Sequence, residues 1–186
     1  MYRILEDNAV DKVILIGQSM GGFLSQSFIR RYPDRVKGFT AIDSAPFGRY
    51  YSRSDIWWLK QIEWMSRLFP AGQLKSAMAK QNAQTEYGRQ NMRKMLESYE
   101  KGELCHLMGI GYAGFLEDNC ELDIACPTIL LVGENDTTGK VKAYNKAWSE
   151  RTGFPLVWIP NAAHNSNVDN PNAVNRAIEE FLASIT

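Results

Sequence analysis

One serine of this chain stands where chemistry is expected, in Gly17-Gln18-Ser19-Met20-Gly21, directly after the apolar run KVILI at residues 12–16. A serine hydroxyl is a weak nucleophile until a neighbouring base takes its proton. A serine between close glycines, preceded by a buried strand and followed by a helix, reads as a sharp strand-to-helix turn. Such a turn strains the serine backbone and asks for small flanking residues, because larger ones collide with neighbouring backbone. It lifts the hydroxyl above the C-terminal edge of a parallel sheet, where α/β folds bind ligands. The helix start also aims N–H groups and positive dipole at a developing oxyanion, with the Met20 N–H as the expected donor.

The base must come from His106 or His164, the two histidines of the chain. His164 lies in the polar loop Asn161-Ala162-Ala163-His164-Asn165, between the strand-like run PLVWI and a closing helix. That position brings it to the same sheet edge as Ser19. His106, between Cys105 and Leu107, reads as structural or associated with the inserted segment. A catalytic histidine needs a carboxylate to fix its tautomer. Asp136, in Gly133-Glu134-Asn135-Asp136 after the run TILLV, is the chosen acid. Glu134, nearer the strand end, and Asp43, after VKGFTAI, are its rivals.

These residues require a parallel sheet to hold them. Residues 12–16, 36–42, 128–132 and 155–159 are short apolar runs suited to strands buried on both faces. Helical patterns cover residues 2–8, 23–32, 141–151 and 172–184, the second ended by Pro33. Strands alternating with helices imply an α/β fold with right-handed crossovers. Residues 48–118 break the alternation, being helical in period and rich in Trp, Tyr, Met, Lys and Gln. The expected division is therefore 1–47 and 119–186 as core, with 48–118 inserted. The stretch holding Trp57, Trp58 and Trp64 reads as a helix burying its apolar face. Its functional reading is an aromatic lining for an apolar substrate pocket.

Composition narrows the function. The 186 residues are 45% hydrophobic and 23% charged, with Lys+Arg and Asp+Glu both 21. A net charge of zero gives no reason to expect nucleic acid or an anionic membrane as partner. Three cysteines, an odd number without a Cys-x-x-Cys pair, read as reduced thiols of a cytoplasmic protein, and no metal site is expected. No apolar run is long enough for a transmembrane helix.

The segments VILIGQSMGG, ILLVGENDTTG and IPNAAHNSNVDNP, in this order, closely resemble the α/β-hydrolase superfamily of serine hydrolases. The order Ser19, Asp136, His164 is the one this fold uses. The resemblance implies acyl transfer to serine followed by hydrolysis, a small-molecule acyl substrate, and no metal or organic cofactor. A carboxylic ester is the expected substrate, and amide, lactone or C–C bond hydrolases use the same triad. Serine at position 19 departs from haloalkane dehalogenases and epoxide hydrolases, which need a carboxylate there. Residues 48–118 resemble the family's helical lid. One further departure concerns the start of the chain. Family members place several strands and a His-Gly-type oxyanion loop before the nucleophile, which here is residue 19. The chain is thus expected to carry the C-terminal part of the fold, with an open sheet edge that a homodimer would cover. The alternative expectation is a truncated, non-catalytic binding protein that retains the triad residues.

Overall fold

The computed structural model of the protein describes residues 1–185. After a short helix α1 (Tyr2–Asp7), the strands β1 (Val13–Gln18), β2 (Val36–Ile42), β3 (Thr128–Gly133) and β4 (Leu156–Ile159) form one parallel sheet in the order β1-β2-β3-β4. The register pairs Gln18 with Ile42, Ile42 with Leu131, and Gly133 with Ile159. All four strands therefore end near one edge, and the loops that follow them converge there.

Alternation along the strands supplies the two faces of the sheet. Leu15, Phe39 and Leu130 pack with Phe28 and Ile29 of α2 (Met20–Arg31) and with Trp148 of α7 (Val141–Thr152). Ile129, Leu131 and Ile159 pack on the other face with Val174, Ala177 and Phe181 of α9 (Pro171–Ile185). Fully burying one large apolar side chain contributes about 1.5–3 kcal/mol. The faces are not equally covered. α9 packs on β2, β3 and β4, whereas Ile16 on β1 is 49% exposed. Among the described residues β1 and β4 are the end strands, β1 pairing with β2 alone and β4 with β3 alone.

The segment between β2 and β3 is helical, as anticipated. It comprises α3 (Arg53–Arg67), α4 (Ala71–Asn82), α5 (Glu86–Glu97) and α6 (Lys101–Ala113). Ser52 and Asp55 form a capping box that starts α3, and Thr85 caps α5. α3 packs against α6 and α4 against α5, around a separate core of Leu74, Ala79, Leu96, Leu104 and Cys105. The aromatic stretch behaves differently from both of its sequence readings. Trp57, Trp58 and Trp64 are each more than half exposed and do not line the pocket, while Leu59 on the same helix does. Trp57 and Trp58 instead pack edge-on against each other, with ring centroids 4.7 Å apart.

Two boundaries also move. α2 begins at Met20, three residues earlier than the pattern indicates, because Gly21 and Gly22 lie inside the helix. A short helix α8 (Ser166–Asp169) follows the histidine loop and has too few residues to show a period.

Candidate active site

Ser19 occupies the one-residue turn between β1 and α2, in the left-handed region at φ 50° and ψ −116°. This is a strained conformation for a residue with a Cβ. The surroundings over-determine it. The Ser19 N–H donates to the Ile42 carbonyl at 2.8 Å, and the Ser19 carbonyl accepts from Gly22 N–H at 2.9 Å and from Ser44 Oγ at 2.7 Å. The glycines serve unequal purposes. A Cβ on Gly17 would overlap the Gly21 carbonyl, and one on Gly22 would overlap the Ser44 side chain. A Cβ on Gly21 would meet nothing within 4 Å. The sterically required pair is therefore Gly17 and Gly22, not the Gly17 and Gly21 that flank the serine.

The Ser19 hydroxyl lies 2.8 Å from His164 Nε2, and His164 Nδ1 lies 2.9 Å from Asp136 Oδ2. The second Asp136 oxygen accepts the Thr138 N–H at 2.7 Å. An ionised carboxylate only accepts, so Nδ1 carries the hydrogen. In neutral imidazole Nε2 is then the acceptor for the Ser19 O–H. Both His164 and Asp136 are buried, which shelters the relay from water. Met20 is the first residue of α2, so its N–H has no acceptor within the helix and stands beside Ser19.

The rival acids do other things. Glu134 is exposed, and its neighbour Gly133 ends β3. Asp43, fully buried after β2 at φ 46°, accepts from Gly133 N–H at 2.8 Å and from Ser166 N–H and Oγ at 2.9 and 2.6 Å. It thereby ties the start of the acid loop to the end of the histidine loop. Burial pushes its carboxyl up to about 6, against the opposing pull of the Ser166 and Gly133 hydrogen bonds. The same two loops touch directly at Gly133, where a Cβ would overlap the Ala162 and Ala163 carbonyls. His106 sits in the helical insertion, largely exposed, with Nδ1 3.4 Å from Glu63.

The insertion is bonded to the histidine loop. Asp169 on α8 accepts from Gln84 N–H at 2.7 Å and from Thr85 N–H and Oγ1 at 2.8 and 2.7 Å. It also accepts the Ala163 N–H at 2.9 Å, one residue before His164. Burial raises the Asp169 carboxyl, but these hydrogen bonds outweigh it and hold it below the usual carboxylate range. Asn165 N–H adds a bond to the Asn82 carbonyl at 2.7 Å, and Gln18 Nε2 donates to the His164 carbonyl at 2.9 Å. At the other end of the insertion, Lys140 Nζ lies 2.6 Å from Asp55 Oδ1, which holds the Asp55 carboxyl down to about 2. The asparagine, aspartate and glutamine tethers carry no sequence signal that separates them from ordinary loop residues. Between sheet edge and insertion lies a cavity of about 480 Å³, with Ser19, Met20 and His164 on its floor.

A parallel sheet that ends in a serine turn, an acid loop and a histidine loop, under a helical insertion, defines an α/β-hydrolase-type hydrolase. Within that class the chain belongs to the family described as Serine aminopeptidase, S33, whose family model matches residues 1–170. No curated protein sequence matches it. A thermophilic esterase of known structure superposes with a TM-score of 0.77 at 23% identity, over 99% of this chain and 71% of its own length. A thermophilic esterase from Thermogutta terrifontis gives 0.71 at 22% identity, over 98% and 69%. The 2-hydroxy-6-oxo-6-phenylhexa-2,4-dienoate hydrolase from Rhodococcus sp. strain RHA1 gives 0.71 at 13% identity, over 96% and 66%. At these identities the likeness establishes the fold. Among the described residues, no helix is long and apolar enough to cross a membrane.

Proposed function

We propose that this protein hydrolyses a carboxylic ester with a small or medium acyl group through an acyl-enzyme. The observation that carries the reading is the continuous line from Ser19 Oγ through His164 to Asp136, with steps of 2.8 and 2.9 Å. Ser19 Oγ attacks the substrate carbonyl while its proton passes to His164 Nε2. Asp136 stabilises the imidazolium and keeps Nδ1 protonated. The Met20 N–H bonds the oxyanion. As the tetrahedral centre collapses, the bond to the leaving oxygen breaks and His164 returns the proton to it. Water then repeats the sequence on the acyl-enzyme, with His164 as base, and frees the carboxylic acid and Ser19. Residues 48–118 act as a lid over this site.

The esterases among the structural neighbours support the ester reading. A C–C bond hydrolase is the second reading, favoured by the Rhodococcus neighbour, since the same triad serves that cleavage. Turnover of p-nitrophenyl butyrate by wild type and Ser19→Ala tests the assignment. The variant should lose about 10⁴-fold or more in kcat. Equal rates in the two proteins would sink it. A fluorophosphonate probe should label wild type and not the variant. A folded wild type that takes no label would instead favour a non-catalytic binding role.

A further inference from the structure

The cavity above Ser19 says what charge its substrate carries, an inference that rests on the serine-hydrolase reading. Five of the seven methionines of the chain line it: Met20, Met78, Met92, Met95 and Met108. Leucine, tyrosine and phenylalanine supply ten more of the lining residues. Methionine is flexible and polarisable, so such a wall adapts to apolar groups of varied shape and selects poorly among them. Its volume of about 480 Å³ lies within the range of small-molecule sites.

The charged groups near this space are already engaged. Among the described residues lining the cavity, Asp43 and Lys140 are the two that carry a formal charge at neutral pH. Asp43 is fully buried, and its oxygens accept hydrogen bonds from Gly133 and Ser166. Lys140 sits at the rim with Nζ 2.6 Å from Asp55. Asp136, just beyond the wall, is held by His164 and Thr138. The nearby amides are engaged as well: Gln18 Nε2 bonds the histidine loop, and Asn165 Oδ1 accepts from it at 3.3 Å.

We propose that this site takes esters of neutral, apolar acyl groups and rejects acyl groups bearing an ammonium or a carboxylate. The chain is then not an aminopeptidase, although its family carries that description. An aminopeptidase substrate has its α-ammonium on the carbon next to the scissile carbonyl. That ammonium must therefore enter the cavity beside Ser19, where no unengaged carboxylate meets it. The imidazolium formed on His164 during attack adds a like charge nearby. An uncompensated charge in such a place lowers kcat/KM by about a hundredfold or more.

Two p-nitrophenyl esters of equal shape test this, isobutyrate and alaninate, at about pH 6 where an α-amino group is protonated. The hemisuccinate against the butyrate tests the opposite charge. Wild type should prefer each neutral ester by about a hundredfold or more in kcat/KM, after subtraction of spontaneous hydrolysis. Ratios within about threefold of unity would overturn the proposal. A second arm needs no catalysis: octanamide, octylammonium and octanoate are titrated calorimetrically into Ser19→Ala. The amide should bind at least tenfold more tightly than either ion, and equal affinities would overturn the proposal. Should wild type turn over none of the esters and take no fluorophosphonate, the serine-hydrolase reading fails while the binding arm still decides the question of charge.

Discussion

Asp43→Asn tests whether Asp43 positions the residues proposed to react. Asparagine has nearly the same shape and tolerates the left-handed backbone at φ 46°. Its single oxygen can keep the Ser166 bonds, and its NH₂ then faces the Gly133 N–H. The Gly133 N–H and the new NH₂ then both lack an acceptor, and each such buried donor costs about 1–3 kcal/mol. Against this stands the charge itself. Burial raises the Asp43 carboxyl from 3.8 to about 6. A group raised in the folded state contributes stability that is fully present below its ordinary value and is lost as pH rises through the folded value. A shift of roughly two units corresponds to about 3 kcal/mol, lost by wild type between about pH 4 and pH 7. Asparagine does not titrate. The destabilisation caused by Asp43→Asn should therefore be largest near pH 4 and shrink by about 3 kcal/mol on the way to pH 7. Urea unfolding followed by tryptophan fluorescence at several pH values measures this. A difference between the proteins that stays constant within about 1 kcal/mol across that range would refute the argument. The kinetic consequence is separate. With the acid and histidine loops no longer tied at Gly133, kcat should fall by about ten- to a hundredfold with KM little changed, since small misplacements are costly in a preorganised site. An unaltered kcat would show that Asp43 holds the fold and not the relay.

Asp136→Asn keeps the shape but presents an NH₂ or the wrong tautomer to His164, and kcat for p-nitrophenyl butyrate should drop by about 10³–10⁴ with near-normal unfolding. In Asp169→Asn the amide cannot accept all four hydrogen bonds; kcat should fall, and limited proteolysis should begin near residues 82–85, where wild type is protected. Gly17→Ala drives a Cβ into the Gly21 carbonyl and should destabilise by several kcal/mol, whereas Gly21→Ala meets open space inside a helix and should stay within about 1 kcal/mol. Thermal unfolding of the two glycine variants side by side reads that contrast.

The sheet was legible because its strands are short apolar runs bounded by turns, and buried parallel strands need little else. Helices with one clear apolar stripe, such as α9, were legible for the same reason. The insertion was legible as helix but not as packing. In α3, Trp57, Trp58 and Trp64 outweigh the aliphatic residues in any hydrophobicity reading, yet they point outward while Leu59 faces the cavity. Hydrophobicity identifies a residue that gains from burial. It does not say which partner is available, and that depends on how α3 meets α6.

The residues proposed to react were legible for a different reason from the residues that hold them. Ser19, Asp136 and His164 each belong to a loop at a strand end, so local order along the chain is enough to bring them to one edge. The tethers are contacts between loops distant in sequence. Asp43 bridges to Gly133 and Ser166, Asp169 to Gln84, Thr85 and Ala163, and Gly133 leaves room for two carbonyls. Asp43 was visible as a carboxylate at the right edge, which is why it competed for the role of acid. Only the direction of its oxygens separates the two roles. Asp43 spends three of its carboxylate's roughly four acceptor positions on Gly133 and Ser166, whereas the carboxylate bonded to His164 Nδ1 is that of Asp136. The price of this arrangement is coupling: because Asp169 and Asn82 bind the insertion to the residues on either side of His164, the α4–α5 turn cannot lift away without disturbing His164. For residues 48–118 to act as the proposed lid while leaving His164 in place, opening would start from the α3–α6 side, where one tie is the Lys140–Asp55 ion pair, its lysine exposed and its aspartate largely buried.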